Sequence, residues 1–378
     1  MPSLSRADTS ILGRWWLTVD RWTLLAVATL IGFGYIMVLA ASPAVAVRIH
    51  EPRTWFILKQ VLFLGLAGGV VLATSLLSPR GIRRLALLLG LVALALTAAT
   101  LVMGVEIKGA RRWIALPGIS VQPSEFLKPC FAVITAWLLS EKGRLGRYAG
   151  TAAVLAIYAV IALLLKSQPD MGMLLVVTAV LLVQGFIAGL NLIFVGMGVG
   201  AIAAAGVGAF FVFPHVHSRV MRFLDPASGD NYQVITALQA FGQGGLLGRG
   251  PGEGHIKDIL PDAHADFVFA VMGEEFGLIV CLLLLGVFAF VVLWGLLKLV
   301  AERDLFVVLA ASGLLASFGL QAFVNMASSL RLIPTKGMTL PFVSYGGSSV
   351  VAIALGIGML LALTRKRSRV ERGWEAAA

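Results

Sequence analysis

Residues 241–277 read FGQGGLLGRGPGEGHIKDILPDAHADFVFAVMGEEFG. Seven glycines fall between Gly242 and Gly254, followed by a Pro-Asp-Ala-His-Ala-Asp run and the pair Glu274–Glu275. Long apolar segments stand on both sides of this stretch. A chain in lipid has no cheap place for carboxylates or for backbone outside regular hydrogen bonding. Both are tolerated where they line a watery or protein-walled cavity. The stretch therefore predicts a membrane-embedded bundle carrying an active site at a membrane surface.

The rest of the chain agrees. It has 378 residues, of which 59% are hydrophobic and only 13% charged, against about 25% charged in a soluble domain. This composition excludes a soluble fold and predicts an all-α polytopic membrane protein. The net charge of +11 is spread over short loops between apolar spans, with no continuous basic face, so nucleic acid is not an expected partner. Cys130 and Cys281 both lie in apolar runs and imply no disulfide framework.

Apolar runs of spanning length occur at 22–43, 55–77, 85–103, 124–140, 149–165, 171–188, 192–213, 267–298, 305–327 and 346–364, which predicts ten transmembrane helices. The first run is too long for a signal-peptide core, despite the cleavage-like Ala44-Val45-Ala46 after it, and is expected to be retained. Arg14, Arg21, Arg80, Arg83, Arg84, Lys142, Arg144, Arg147, Arg365 and Lys366 all fall on one side under this scheme, which makes that side and both termini cytoplasmic. Residues 1–21 and 365–378 are expected to be mobile tails around a membrane domain at 22–364. The outer side holds all five histidines and a large loop, 214–266, between the seventh and eighth helices.

Several outer motifs carry chemistry. Gly109-Ala110-Arg111-Arg112-Trp113 is followed by Gln122-Pro123-Ser124-Glu125, with Lys128 three residues on and on the same helix face as Glu125. A lone Lys costs about 2.5–3.5 kcal/mol at bilayer depth unless paired. The pair is either an internal tie between helices or the lining of an anion-binding cavity. Lys59 in the second span either snorkels to the surface or lines the same cavity. The glycine-rich loop, with Gln243 at its start, can bring backbone amides close to phosphate oxygens, but no Gly-Lys-Ser/Thr follows, so it is no nucleotide P-loop. Arg219-Val220-Met221-Arg222-Phe223-Leu224-Asp225-Pro226 opens the large loop.

Asp266 is the sharpest candidate. It lies where the apolar run resumes, and partial desolvation there suits a general base. Its competing role is an N-cap. Glu274, eight residues on and about 80° round a helix, is placed to assist. His264 is too far in sequence from His215, His217 and His255 to suggest a zinc site. Lys336 lies in Pro334-Thr335-Lys336-Gly337, and Ser344 and Ser348 belong to Ser344-Tyr345-Gly346-Gly347-Ser348-Ser349. That second turn aims hydroxyls and amides at an anion, or simply caps the last helix.

In this order and spacing, the motifs Gly109–Trp113, Gln122–Lys128, Gln168–Gly172, Arg219–Pro226, Pro261–Phe269, Glu274–Gly277, Pro334–Gly337 and Pro341–Ser349 resemble the SEDS family of membrane peptidoglycan glycosyltransferases. The likeness covers roughly 22–364. Pro334–Pro341 looks more like the division (FtsW) branch than the elongation (RodA) branch. Division-type sequences commonly read Pro-Glu-Ala-His-Thr-Asp where this chain has Asp262 and Ala265. The resemblance implies polymerisation of lipid II outside the bacterial inner membrane at the septum, with Asp266 as the essential acid. It also implies a class B penicillin-binding transpeptidase and other divisome proteins as partners, and a divalent cation, Mg²⁺ or Mn²⁺, as cofactor. Lys128, Arg111 or Arg112, the glycine loop and the Ser344–Ser349 turn would stabilise the leaving diphosphate. The rival readings are a lipid-linked sugar transporter, which the intramembrane Lys59, Glu125 and Lys128 would also suit, and a non-catalytic division scaffold.

Overall fold

Short polar residues and Pro set where the helices begin. Ser10 caps α1 (Ile11–Thr18) by accepting the Gly13 amide at 3.0 Å, and Asp20 caps α2 (Arg21–Arg48) through the Trp22 amide at 3.2 Å. After α3 (Trp55–Ser75), Ser78 caps α4 (Pro79–Met103), whose first residue is the Pro that helix starts favour. Residues 105–121 form strands β1 (Val105–Ile107), β2 (Ala110–Leu116) and β3 (Ile119–Val121). Then come α5 (Ser124–Ser140), α6 (Ala149–Ser167), α7 (Met171–Ile187), α8 (Tyr232–Gly244), α9 (Ile256–Ile259), α10 (Val268–Leu299), α11 (Leu305–Ser329) and α12 (Gly347–Leu363). This computed structural model describes residues 10–107, 109–141, 148–190, 232–334 and 337–366, with scattered positions between 196 and 223.

The architecture is that of a polytopic helical membrane protein. Among the described residues, α2, α3, α4, α6, α10 and α11 are long and apolar enough to cross a bilayer, and α7 and α12 are shorter apolar helices. The seventh expected span and residues 214–231 lie largely outside the described residues. The most apolar stretch of α11 is 67% buried, against 22–39% for the other five long helices, so α11 is the enclosed member. Helices α5, α7, α10 and α12 pack around it.

The structure departs from the sequence expectations in three places. The all-α expectation missed the small antiparallel sheet, ordered β1-β2-β3. β-Branched Val105, Ile107, Ile114, Ile119 and Val121 favour it. Pro117-Gly118 turns the chain between β2 and β3, with Gly118 at φ 79° as a type II turn requires. Arg80, Arg83 and Arg84 occupy the first turns of α4 rather than a loop, because Ser78-Pro79 starts the helix early. Residues 11–18, expected in a tail, form α1, whose Trp15 indole donates to Ser75 Oγ at 2.9 Å. The Lys366 amide donates to the Thr18 carbonyl at 3.0 Å, joining the chain beyond α12 to the end of α1. Nearby, the Asp20 carboxylate takes the Lys298 ammonium at 2.8 Å and the Trp294 indole at 3.0 Å, clasping the start of α2 to the end of α10.

Helix α10 is interrupted at Gly277, whose φ of 76° and ψ of −177° are not helical. A continuous helix would pair the Leu278 and Ile279 amides with the Glu274 and Glu275 carbonyls. Here the glycine loop enters that gap. Arg249 and Gly250 donate to the two carbonyls at 2.9 and 3.0 Å. Leu278 and Ile279 donate instead to the Gly245 and Leu246 carbonyls at 3.0 and 3.3 Å. A Cβ at Gly248 or Gly277 would overlap the opposing backbone, so this close approach depends on both glycines.

Candidate active site

Asp266 lies in the turn between α9 and α10, half-buried, with its carboxylate beside Gly337. It does not cap α10, since the N-cap position is Phe267. Three consecutive carbonyls of this turn are gripped from different parts of the chain. The Tyr345 amide donates to His264 O at 2.8 Å, Ser344 Oγ to Ala265 O at 2.6 Å, and Asn325 Nδ2 to Asp266 O at 2.9 Å. Asn325 also donates to Met338 O at 2.6 Å, binding the turn to the segment before α12. The His264 ring lies against Phe56 and Tyr345, with centroids 4.7 and 5.2 Å away. Burial pushes the Tyr345 phenol above its ordinary value, so the hydroxyl stays protonated.

Alongside the turn runs a closed ring of polar side chains. Lys128 Nζ lies 2.6 Å from Glu125 Oε2 and 2.5 Å from Gln321 Oε1. Gln321 Nε2 donates to Thr339 O at 3.0 Å, the Thr339 and Ser349 hydroxyls are 2.7 Å apart, and Ser349 Oγ returns to Glu125 at 3.2 Å. Lys128 is only 3% exposed, so its charge is compensated inside the bundle by Glu125. An apolar cleft lined by Pro129, Leu314, Phe318, Ile353 and Ile357 opens beside Lys128 and Gln321.

A second polar arm reaches the small sheet. The Gln122 amide donates to Ser348 Oγ at 3.1 Å, and the Gln122 side chain donates to Asp170 at 3.2 Å. Arg112 pairs with Asp170 at 3.5 Å and donates to Gln168 O at 2.9 Å. Burial pushes the Asp170 carboxyl above its ordinary value, with the Arg112 guanidinium opposing that shift. Asp170 also caps α7 through the Met173 amide at 3.1 Å.

The structure thus gathers Gln122, Glu125, Lys128, His264, Asp266, Ser344 and Ser348, and joins Arg112 to them through Asp170. Other expected residues have different work. Asp266 precedes α10, so the helical offset expected for Glu274 does not apply. Glu274 is fully buried and accepts the His255 and Ile256 amides at 2.8 and 2.9 Å, while Glu275 takes Lys257 Nζ at 2.5 Å. These carboxylates and their carbonyls engage the glycine-loop amides that were expected to face a diphosphate. Ser344 Oγ accepts the Leu340 amide and donates to Ala265 O, and Ser348 Oγ accepts the Gln122 amide. Lys59 stacks over Trp55 at 4.1 Å, whereas its neighbour Gln60 is buried and donates to Ser344 O at 3.2 Å. Arg111 pairs with Glu106 across the β1–β2 ladder at 3.3 Å in the open. Trp113 sits on the same sheet opposite Val105, and Gln243 is exposed near the end of α8. Lys336 lies outside the described residues, as do Arg219 and Arg222.

Sequence reading passed over Gln321 and Asn325, and took in Thr339 and Ser349 only as parts of longer motifs. Gln321 and Asn325 were findable as buried amides four residues apart in an apolar span, a spacing that puts both on one face. Among the described residues no three His, Cys, Asp or Glu side chains converge as a metal cage.

Comparison with known proteins identifies the family. The pattern of the FtsW/RodA/SpoVE family, described as "Cell cycle protein", matches residues 21–369. The probable peptidoglycan glycosyltransferase FtsW of Caulobacter vibrioides is 43% identical over 367 residues, covering 97% of this chain and 94% of that protein. Its counterpart in Trichlorobacter lovleyi is 37% identical over 357 residues, covering 90% and 92%. Among solved structures, a chain of a peptidoglycan synthase complex that coordinates polymerization and crosslinking superposes with TM-score 0.74 at 28% identity, covering 92% of this chain and 98% of that one. The rod shape determining protein RodA of Thermus thermophilus superposes with TM-score 0.70 at 28% identity, covering 93% and 99%. The chain belongs to the FtsW/RodA/SpoVE, or SEDS, family of membrane proteins, and within it to the FtsW type.

Proposed function

We propose that this protein is a peptidoglycan glycosyltransferase that polymerises lipid II into glycan strands at the outer face of the bacterial inner membrane during septal wall synthesis. The observation that carries the reading is the Asp266 turn, whose three backbone carbonyls are gripped from other parts of the chain and which Asn325 ties to Met338, next to the Thr339 that closes the Lys128 ring. The acceptor sugar's 4-hydroxyl gives its proton to Asp266 as its oxygen bonds to the donor's anomeric carbon. The bond from that carbon to the lipid diphosphate breaks, and the diphosphate leaves with the electron pair. Lys128 and Arg112 supply positive charge near the leaving group, already balanced by Glu125 and Asp170 in the resting state.

The ten-span arrangement with both termini cytoplasmic belongs to this proposal, supported by the basic segments and by the bond between Lys366 and Thr18. A class B transpeptidase is the proposed partner, together with other divisome proteins. A divalent cation is proposed as a companion of the substrate's diphosphate, because the described residues form no cage for one. Chelation should slow polymerisation.

General-base catalysis contributes roughly 10²–10⁴-fold. Asp266→Ala should lower glycan formation from purified lipid II by that range while the folded protein persists in detergent. Near-normal polymerisation would remove Asp266 from the role. Because detergent has no sides, polymer made there by the wild type also separates this reading from transport.

A further inference from the structure

Helix α2 crosses behind the turn that holds the catalytic segment, and at one point its backbone touches that turn directly. Gly34 is buried there. A Cβ at this position would overlap the Phe342 carbonyl oxygen and lie 3.1 Å from its carbon and 3.3 Å from Val343 Cα. Gly32, two residues earlier on the same helix, has nothing within 4 Å of the same construction. Only one of these neighbouring glycines is therefore required by contact.

The residue that Gly34 touches is strained. Phe342 has φ 61°, a left-handed conformation that is rare for a bulky side chain, and its ring is completely buried. Such a conformation persists where the surroundings over-determine it. Here α2 presses on the carbonyl while the buried ring anchors the other side. The turn is also closed internally. The Val343 and Ser344 amides donate to Leu340 O at 3.1 and 3.0 Å, and the Leu340 amide donates to Ser344 Oγ at 2.8 Å. It is thus a rigid piece whose place depends on how closely α2 approaches.

That piece carries two of the three grips on the Asp266 segment, Ser344 Oγ on Ala265 O and the Tyr345 amide on His264 O. We propose that Gly34 is a positioning residue: its missing side chain seats the 340–345 turn, and through Ser344 and Tyr345 that turn aims the Asp266 carboxylate. The atoms nearest a Cβ at Gly34 belong to Phe342 and Val343 rather than to Asp266, and Gly34 does not line the cleft beside Lys128. The inference rests on the reading of Asp266 as the base. A side chain at position 34 would displace the Phe342 carbonyl, and the donors at 344 and 345 with it. Misplacing a reacting group by about 1 Å costs on the order of 10²-fold in rate.

The test compares Gly34→Ala, Gly32→Ala and Ser344→Ala in the full-length protein, using lipid II polymerisation kinetics and hydrogen exchange of residues 260–267. Both alanines improve helix propensity equally, so propensity cannot separate them. Gly34→Ala should lower kcat by about 10²-fold with KM little changed, and Gly32→Ala should match the wild type. Ser344→Ala, which loses one grip and also the bond from the Leu340 amide, should lower kcat by at least about tenfold, again without a KM effect. Exchange in 260–267 should quicken by about tenfold in Gly34→Ala and Ser344→Ala alone. Wild-type kcat and exchange in a folded Gly34→Ala would overturn the proposal, and so would an effect confined to KM. If Gly34→Ala does not fold, Ser344→Ala tests the turn's hold on the Asp266 segment, and wild-type kcat and exchange in that variant would overturn the proposal. If the wild type makes no polymer, the functional reading falls, and the exchange arm still decides whether position 34 controls the segment.

Discussion

Lys128 shows how much a single buried charge constrains its surroundings. Its ammonium is 3% exposed and shared between Glu125 and Gln321, and Glu125 in turn holds Ser349. Removing one partner of such a pair leaves the other charge uncompensated, which costs about 3–5 kcal/mol. Lys128→Met should therefore lower the unfolding temperature in detergent, while Lys128→Met combined with Glu125→Gln should recover much of the loss. The double variant should still polymerise lipid II poorly, because the cation near the leaving diphosphate is gone. Stability and activity recovering together would make the pair a helix tie alone. The sequence showed that Glu125 and Lys128 share a face. It gave no sign that Gln321, nearly two hundred residues away, completes their hydrogen bonds, because that partnership arises from packing.

The glycine loop and the start of α10 behave as one element. Lys257 bonds Glu275 Oε1 at 2.5 Å and Gly252 O at 3.0 Å, both within a nearly dry site. Lys257→Met would strand Glu275 at a cost of about 3–5 kcal/mol, which local release of the loop can relieve. Trypsin should then cut after the exposed Arg249 faster than in the wild type, by a mass-spectrometric time course. An unchanged rate would mean that the backbone bonds alone hold the loop. The unusual composition of residues 241–277 was visible in sequence, and so was its position beside a helix. The use of its amides was not. Glycines suit a close approach to phosphate and to another backbone equally well, and only the fold reveals which is present.

For the whole molecule, hydropathy and basic residues gave most of the helix plan. The polar exceptions were harder to read, because periodicity does not say which buried amide meets which carbonyl. The sheet at 105–121 was hidden because three short strands leave too weak an alternation to separate from a loop. The proposed topology puts exposed Ser120 outside and exposed Arg84 inside. Both native cysteines are buried and should stay silent toward a membrane-impermeant maleimide. In intact spheroplasts Ser120→Cys should label and Arg84→Cys should label only after lysis. The reverse pattern would invert the orientation.

The break at Gly277 reaches further than a bend. Backbone groups left open at membrane depth are costly, yet here a stretch from outside the helix fills all four places in the ladder. Loop and helix are accordingly spliced like a mended rope, each strand finishing the other's turns. Deleting even one residue between Gly245 and Gly250 would slip that splice and leave a spanning helix with orphaned amides in mid-course. The length of this surface segment is therefore set by the inside of a helix, and insertions harmless in most loops should here impair assembly in the membrane.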